Sequence, residues 1–131
     1  MELEQPAHHR SGKMFWIGWV LSILPSPLFL FSAVMKFIKP PAVVEGMKHQ
    51  GFSDHLALGL GIVELSCVLI YLIPRTSVLG AILLTGYIGG AMATHLRIGE
   101  PIFMHIVIGV VIWLGIYLRD ARLRAILPLR Q

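Results

Sequence analysis

The sequence predicts an all-α membrane protein, a bundle of four transmembrane helices with a short interfacial helix between the first and second spans. Hydrophobic residues make up 56% of the 131 positions and charged residues 14%, whereas soluble domains average about 45–50% and about 25%. The mean hydropathy is +0.75. Each crossing of a hydrocarbon core about 30 Å thick takes roughly 20 apolar helical residues. The chain is therefore long enough for a single domain of four crossings and little else.

The first predicted span covers residues 15–38. This apolar run is too long for the core of a secretory signal, about 7–15 residues, and no small-residue cleavage pattern follows it. We therefore expect a span that stays in the protein. Pro25 and Pro27 lie inside it, and each removes a backbone donor. We expect a kink there, with Ser22 or Ser26 satisfying the freed carbonyls.

The next segment predicts a short surface helix that begins at Pro41, ends near His49 and is closed by Gly51. Its apolar residues face the lipid or the bundle, so this helix lies at the interface and does not cross the membrane. It connects the first span to the second.

Three further spans cover residues 55–73, 77–95 and 101–118. Ser53 is the predicted N-cap of the first of these, and Pro101 suits the first position of the last. Because only a tight turn joins the second and third spans, we expect those two helices to be antiparallel neighbours.

The distribution of Lys and Arg predicts the orientation. The polar leader (1–14), the turn between the second and third spans and the basic tail (119–131) share one side and carry seven basic residues, against four on the other. The positive-inside rule then places both termini in the cytoplasm. The net charge of +4 does not indicate a nucleic-acid partner, because the excess flanks a span, where anionic lipid is the natural partner.

Helical spacing places titratable residues toward one end of the bundle interior. Glu64 lies near the middle of the second span, where a charge costs about 2.5–3.5 kcal/mol, so it must pair, accept hydrogen bonds or be protonated. Ser32 and Lys36 share a face of the first span; Lys36 either snorkels to the headgroups or turns inward to pair with Glu64. His95 ends the third span, and His105 lies one turn inside the fourth at the same end.

These residues predict a polar pocket that opens on the non-cytoplasmic side, with Tyr87 on the same face as His95. The candidates for ligand binding or proton relay are Lys36, Glu64, His95, His105, Ser32 and Tyr87. Arg97 and Glu100 fall in the exposed turn, where we expect them to contact only water and headgroups. The sequence assigns no catalytic residue.

The residue types limit what this pocket could hold. The spacing of His95 and His105 spans a loop and fits no compact metal or haem motif, so we predict no metal site. Cys67 stands alone without a C-x-x-C motif, which argues against thiol chemistry and for simple packing. A bound quinone suits the pocket better, because its carbonyls need donors and its reduction needs protons. A purely structural polar cluster is an equal alternative.

Small residues predict close helix packing. Gly61 accompanies Glu64, and Gly86 with Gly90 forms a G-x-x-x-G face on the third span. The same spacing serves a contact within one chain or between copies in a homo-oligomer.

The segments FLFSAVMKF, GMKHQGFSDH, GLGIVELSCVLIYLIPRTS and GIYLRDARLRAILPLR resemble the DoxX-like family of small bacterial four-helix membrane proteins over residues 15–130. The features that carry this resemblance are Lys36 closing the first span, Gly61 and Glu64 in the second, and a small-residue third span ending in His95. The resemblance implies the bacterial inner membrane and a small accessory subunit of a redox or quinone-linked system. A redox partner protein would supply electrons, because the chain carries no cofactor motif and is not expected to be a stand-alone enzyme.

The alternative is a non-catalytic structural or assembly protein whose buried polar residues only stabilise the bundle. A complete transporter is disfavoured, because four short helices without an internal repeat do not make an alternating-access machine in one copy.

Overall fold

The computed structural model of the chain describes residues 12–127, which form helices joined by short turns, with no strand in this range. The predicted leader up to residue 11 and the tail from residue 128 lie outside the described residues. Within that range the helices are α1 (Gly12–Ile23), α2 (Ser26–Ile38), α3 (Pro41–His49), α4 (Leu56–Leu72), α5 (Ser77–Arg97), α6 (Phe103–Arg119) and α7 (Ala121–Ile126).

The first predicted span is divided into α1 and α2, which meet at Pro25. This proline is the N-cap of α2, and Pro27 lies in the first turn, where a missing N–H is tolerated. Ser26 donates its hydroxyl to the carbonyl of Ser22 at 3.0 Å, and Ser22 donates to that of Gly18 at 2.8 Å. The helix is therefore interrupted where the kink was expected, at residues 24–25, and a serine hydroxyl supplies a donor there.

The ends of the other helices differ from the prediction in detail. Helix α4 begins at Leu56 with His55 at its N-cap, so the prediction that Ser53 caps it is wrong; the Ser53 hydroxyl contacts the His55 ring instead. Helix α6 begins at Phe103, and Pro101 precedes it in the turn, so Pro101 is not the first helical residue. Helix α5 continues past the predicted end to Arg97.

The long helices pack in a ring. Helix α1 packs against α6, α2 against α4, α4 against α5, and α5 against α6. The proline break therefore divides the first span between two neighbours, because its first half lies on α6 and its second half on α4. Since α2 leans toward α4, a gap remains between α2 and the beginning of α6, and the cavity described below occupies it.

One end of the bundle is closed by glycines. A Cβ at Gly18 would lie 2.8 Å from the carbonyl oxygen of Gly115, so α1 and α6 touch through their backbones. A Cβ at Gly80 would overlap the backbone of Tyr71, which holds α5 directly on α4. The Tyr71 hydroxyl donates to the carbonyl of Ile112 at 2.9 Å. We call this region, built around Gly18, Tyr71, Gly80 and Gly115, the closed end.

Large apolar side chains cover the outside of the bundle, among them Trp16 (68% exposed), Phe31 (63%) and Phe103 (70%). By length and composition, the 27 residues Gly12–Ile38 and the 21 of Ser77–Arg97 can cross a membrane, with mean hydropathy 1.8 and 1.5. Helices α4 and α6 are apolar but shorter, at 17 residues each, or about 25 Å at 1.5 Å per residue. An apolar exterior over an ordered core indicates a membrane protein.

Candidate functional site

A cavity of about 620 Å³ lies at the end of the bundle opposite the closed end, and we call this the open end. Helices α2, α4, α5 and α6 form its walls, which are mostly apolar, and the loop after α3 contributes Gln50 and Phe52. All six candidates named from the sequence line this one cavity: Ser32, Lys36, Glu64, Tyr87, His95 and His105.

Lys36 and Glu64 form an ion pair on the cavity wall, in which Glu64 is buried and Lys36 is partly exposed. The Lys36 ammonium donates to Glu64 Oε2 at 2.7 Å and to the Ser32 hydroxyl at 2.6 Å, and Ser32 donates to the same carboxylate oxygen at 3.2 Å. Glu64 is only 2% exposed. Lys36 therefore turns inward, and of the two alternatives that the sequence leaves open, snorkelling is wrong.

Gly61 makes this pairing sterically feasible. It lies one turn before Glu64 on α4, and a Cβ there would lie 2.9 Å from the Phe37 ring and 3.2 Å from both the Ala33 carbonyl oxygen and Lys36 Cβ. The absence of a side chain lets α2 approach α4 closely enough for the ammonium to reach the carboxylate.

Tyr87 faces the ion pair from the opposite helix. It projects from α5 and lines the cavity together with Lys36 and Glu64. A phenol hydroxyl can donate to a ligand or to the carboxylate, so three helices present polar atoms to the same space.

The two histidines form the other polar wall. The ring centroids of His95 and His105 lie 4.6 Å apart with an interplanar angle of 47°. Nδ1 of His105 is buried and has no hydrogen-bond partner among the described residues. The histidines share the cavity with Glu64, but the polar partner of His95 is a different carboxylate.

That carboxylate is Glu100, which the sequence reading missed. One oxygen of Glu100 bonds Nδ1 of His95, and the other lies 3.3 Å from Nε2 of His49 at the end of α3. The prediction that Glu100 contacts only water and headgroups is therefore wrong. Glu100 is 37% exposed at its side chain and His95 24%, so the chain of contacts runs from the surface to the cavity.

A turn at the end of α5 brings Glu100 back over His95. Gly99 has φ +74°, the Gly99 N–H bonds the Leu96 carbonyl, and the Glu100 N–H bonds the His95 carbonyl. This is the Schellman arrangement that commonly ends helices at glycine. The signal was present in the sequence as a glycine one residue before the carboxylate.

Arg97 fixes the loop that borders the cavity. Its guanidinium donates to the backbone carbonyl of Gln50 and lies against Gly51. The expectation that Arg97 contacts only water and headgroups is therefore also wrong. Together with the contact between His49 and Glu100, this bond holds the end of α3 at the rim.

Gly86 and Gly90 do not pack against another helix of the described chain. A Cβ at either position would have no heavy atom within 4 Å, and both glycines line the cavity. Of the two contacts that the sequence leaves open, the described residues do not make the one within the chain, because the face that the glycines share is turned to open space; a contact between copies stays a prediction.

Among residues 12–127, no group of three or more His, Cys, Asp or Glu side chains is arranged to hold a metal ion. Cys67 is buried in the apolar core between α4 and its neighbours.

The model of the DoxX-like family matches residues 20–117 of the chain. This range contains the whole cavity, from Leu28 on α2 to Ile108 on α6. No curated protein and no solved structure matches the chain.

Proposed function

The chain belongs to the DoxX-like family, and we propose that it is a small accessory subunit of a membrane redox system that binds a quinone head group in the cavity of the open end. The observation that carries the proposal is the combination of mostly apolar walls with donors from three helices in one space of about 620 Å³. Ligand sites typically pair an apolar lining with a few convergent polar groups in about 300–1,000 Å³.

The hydrogen-bond donors in the cavity suit a quinone head group, which is a flat ring with two carbonyl acceptors. An ammonium carries three N–H donors, and Lys36 uses two of them on Glu64 and Ser32. We expect the remaining donor and the Tyr87 hydroxyl to serve one carbonyl, and the ring of His105, which also lines the cavity, to serve the other.

His95 supplies a route for protons. Reduction of a quinone to a quinol takes up two electrons and two protons; a redox partner protein supplies the electrons. The protons enter at Glu100 and pass through its hydrogen bond to His95, which itself lines the cavity and delivers them to the ligand. Imidazole suits this task because it gains and loses a proton near neutral pH.

The same proposal includes the topology. Four spans, α1 with α2, α4, α5 and α6, cross the bacterial inner membrane with both termini in the cytoplasm, in agreement with the excess of Lys and Arg on that side. Helices α4 and α6, at 17 residues each, lie at the lower limit of about 17–25 residues for a crossing and thin the bilayer locally.

The test compares two adjacent glycines of α5. Gly90 lines the cavity and Gly89 does not, and a Cβ at either would meet no heavy atom within 4 Å. Gly90→Leu fills the cavity, whereas Gly89→Leu places the same side chain outside it. Each protein is purified in mild detergent, its quinone content is measured by mass spectrometry of an organic extract, and a short-chain benzoquinone is titrated into it.

We expect Gly90→Leu to lower quinone content and affinity by at least about tenfold, equivalent to about 1.4 kcal/mol, and Gly89→Leu to bind like the unsubstituted protein. Equal binding by both variants, or no quinone binding by the unsubstituted protein, would overturn the proposal.

One observation favours the structural alternative. Lys36, Ser32 and Glu64 already satisfy one another, so the ion pair needs no ligand to be stable. If Glu64→Gln and His95→Ala both fail to accumulate in the membrane, this alternative gains support. If both accumulate normally and lose quinone, it is excluded.

A further inference from the structure

A second cavity, of about 320 Å³, lies at the closed end, where α1, the turn before α5 and the junction of α6 with α7 meet. Arg119 and Arg122 line it, with Asp120 between them, and Trp19 forms a wall. It shares no lining residue with the cavity of the open end, so whatever it binds is independent of the proposed quinone site.

Contacts with Trp19 and Tyr71 fix the Arg119 guanidinium and leave some of its N–H donors unused. Its guanidinium lies 4.1 Å above the Trp19 ring, and one terminal nitrogen donates to the Tyr71 carbonyl at 3.5 Å. Its Nε is buried and has no hydrogen-bond partner in the described part of the chain. Within residues 12–127, none of the ion pairs involves Arg119. A guanidinium has five N–H donors in a fixed planar fork; Nε is buried and one terminal N–H bonds Tyr71, so the remaining terminal N–H groups are available to an anion.

The carboxylate of Asp120, next to Arg119 in the sequence, accepts hydrogen bonds from the backbone. Asp120 Oδ1 accepts the N–H of Arg122 at 2.9 Å and that of Leu123 at 3.3 Å, which caps α7. Two arginines therefore line the cavity beside one aspartate whose Oδ1 is already hydrogen-bonded, and the local charge is positive.

We propose that this cavity binds a phosphate ester through Arg119 and Arg122, supplied by a phospholipid head group. The guanidinium fork matches phosphate oxygens in a bidentate geometry. Phe15 lines the cavity, and Trp16 beside it is 68% exposed; exposed aromatic side chains of this kind mark the headgroup level of a membrane. The arginines thus lie at the depth of lipid phosphates, although free phosphate offers the same chemistry.

The experiment measures the midpoint of thermal unfolding of the full chain in mild detergent. Phosphatidylglycerol, diacylglycerol with the same acyl chains, and inorganic phosphate are added in turn at constant ionic strength. We expect phosphatidylglycerol to raise the midpoint by about 4 °C, because a ligand that binds only the folded state stabilises it. Diacylglycerol, which lacks the phosphate, is expected to leave the midpoint unchanged.

Three substitutions at the same end of the bundle assign the effect to the cavity. Arg122→Gln, at an exposed side chain, should remove at least about half of the rise. Arg75→Gln removes the same charge from the turn between α4 and α5, outside the cavity lining, and should leave the rise intact. Arg119→Gln should abolish the rise in the midpoint. Arg119 also packs on Trp19; if the Arg119→Gln protein does not fold for that reason, the result with Arg122→Gln tests the proposal.

The outcomes separate the sources of the phosphate. A rise with inorganic phosphate equal to that with phosphatidylglycerol supports the site and makes free phosphate its ligand. An equal rise with diacylglycerol, an equal loss in Arg75→Gln and Arg122→Gln, or no rise with either phosphate source overturns the proposal.

Discussion

The two ends of the bundle use the same residue types in opposite ways. At the closed end, Gly18, Gly80 and Gly115 bring backbones into direct contact, and the Tyr71 hydroxyl bonds a main-chain carbonyl. At the open end, Gly90 faces empty space, and the polar side chains bond one another around a cavity. A glycine in an apolar helix therefore indicates packing only where a second helix occupies the space beside it.

The break at Pro25 produces this difference. It allows the first half of the span to lie on α6 and the second half on α4, so the helices converge at one end and separate at the other. The stability of the fold should thus depend most strongly on the closed end, and the proposed quinone binding on the open end. The following substitutions test that division.

The largest effect is expected for Gly80→Leu at the closed end. Its side chain would overlap the Tyr71 backbone, which cannot move without separating α4 from α5. The loss should exceed about 4 kcal/mol, the range reached by severe core disruptions, and the variant should not accumulate. Gly89→Leu, on the same helix with open space around it, should accumulate normally. The division would be contradicted if the two variants accumulated equally in membranes.

The next largest effect is expected for Lys36→Met at the open end. It leaves the Glu64 carboxylate buried without its cation, which should lower the free energy of unfolding in mixed micelles by about 3 kcal/mol. Replacing both partners, as Lys36→Met with Glu64→Leu, should return stability to within about 1 kcal/mol of the unsubstituted protein, because no charge is then left unpaired. A double variant as unstable as the sum of its single variants would show that the pair is not coupled.

The sequence offered this ion pair as one of two alternatives for Lys36, whereas its surroundings could not be predicted. A carboxylate at membrane depth must be satisfied, so Glu64 and the helical face of Lys36 were sufficient to suggest the pair. The role of Glu100 depends on the turn at Gly99 and on the approach of His49, which is distant in sequence. The orientation of Gly90 depends on which helices are neighbours in the ring, and spacing within one helix does not encode that order.

A smaller effect is expected for Gly99→Ala at the rim of the open end. The position has φ +74° and open space around it, so the cost is purely conformational, about 1 kcal/mol. Gly59→Ala is a suitable control, because Gly59 is helical with equally open surroundings, and alanine there should stabilise by about 0.5–1 kcal/mol. Thermal unfolding measures both, and shifts of the same sign would contradict the role of the turn at Gly99.

The smallest effect is expected between the two ends, where Trp113 on α6 donates to the Thr85 hydroxyl on α5 at 2.8 Å. Hydrogen bonds between membrane helices contribute about 0.6 kcal/mol on average, because separated helices also find partners. A double-mutant cycle with Trp113→Phe and Thr85→Val isolates this term. A coupling energy near about 0.6 kcal/mol would mean that this hydrogen bond contributes little to stability. A coupling energy above about 2 kcal/mol would mean that stability is not concentrated at the closed end. Since Thr85 also donates to the Ala81 carbonyl at 2.7 Å, its hydroxyl keeps a partner in Trp113→Phe, and that single variant should be nearly as stable as the unsubstituted protein.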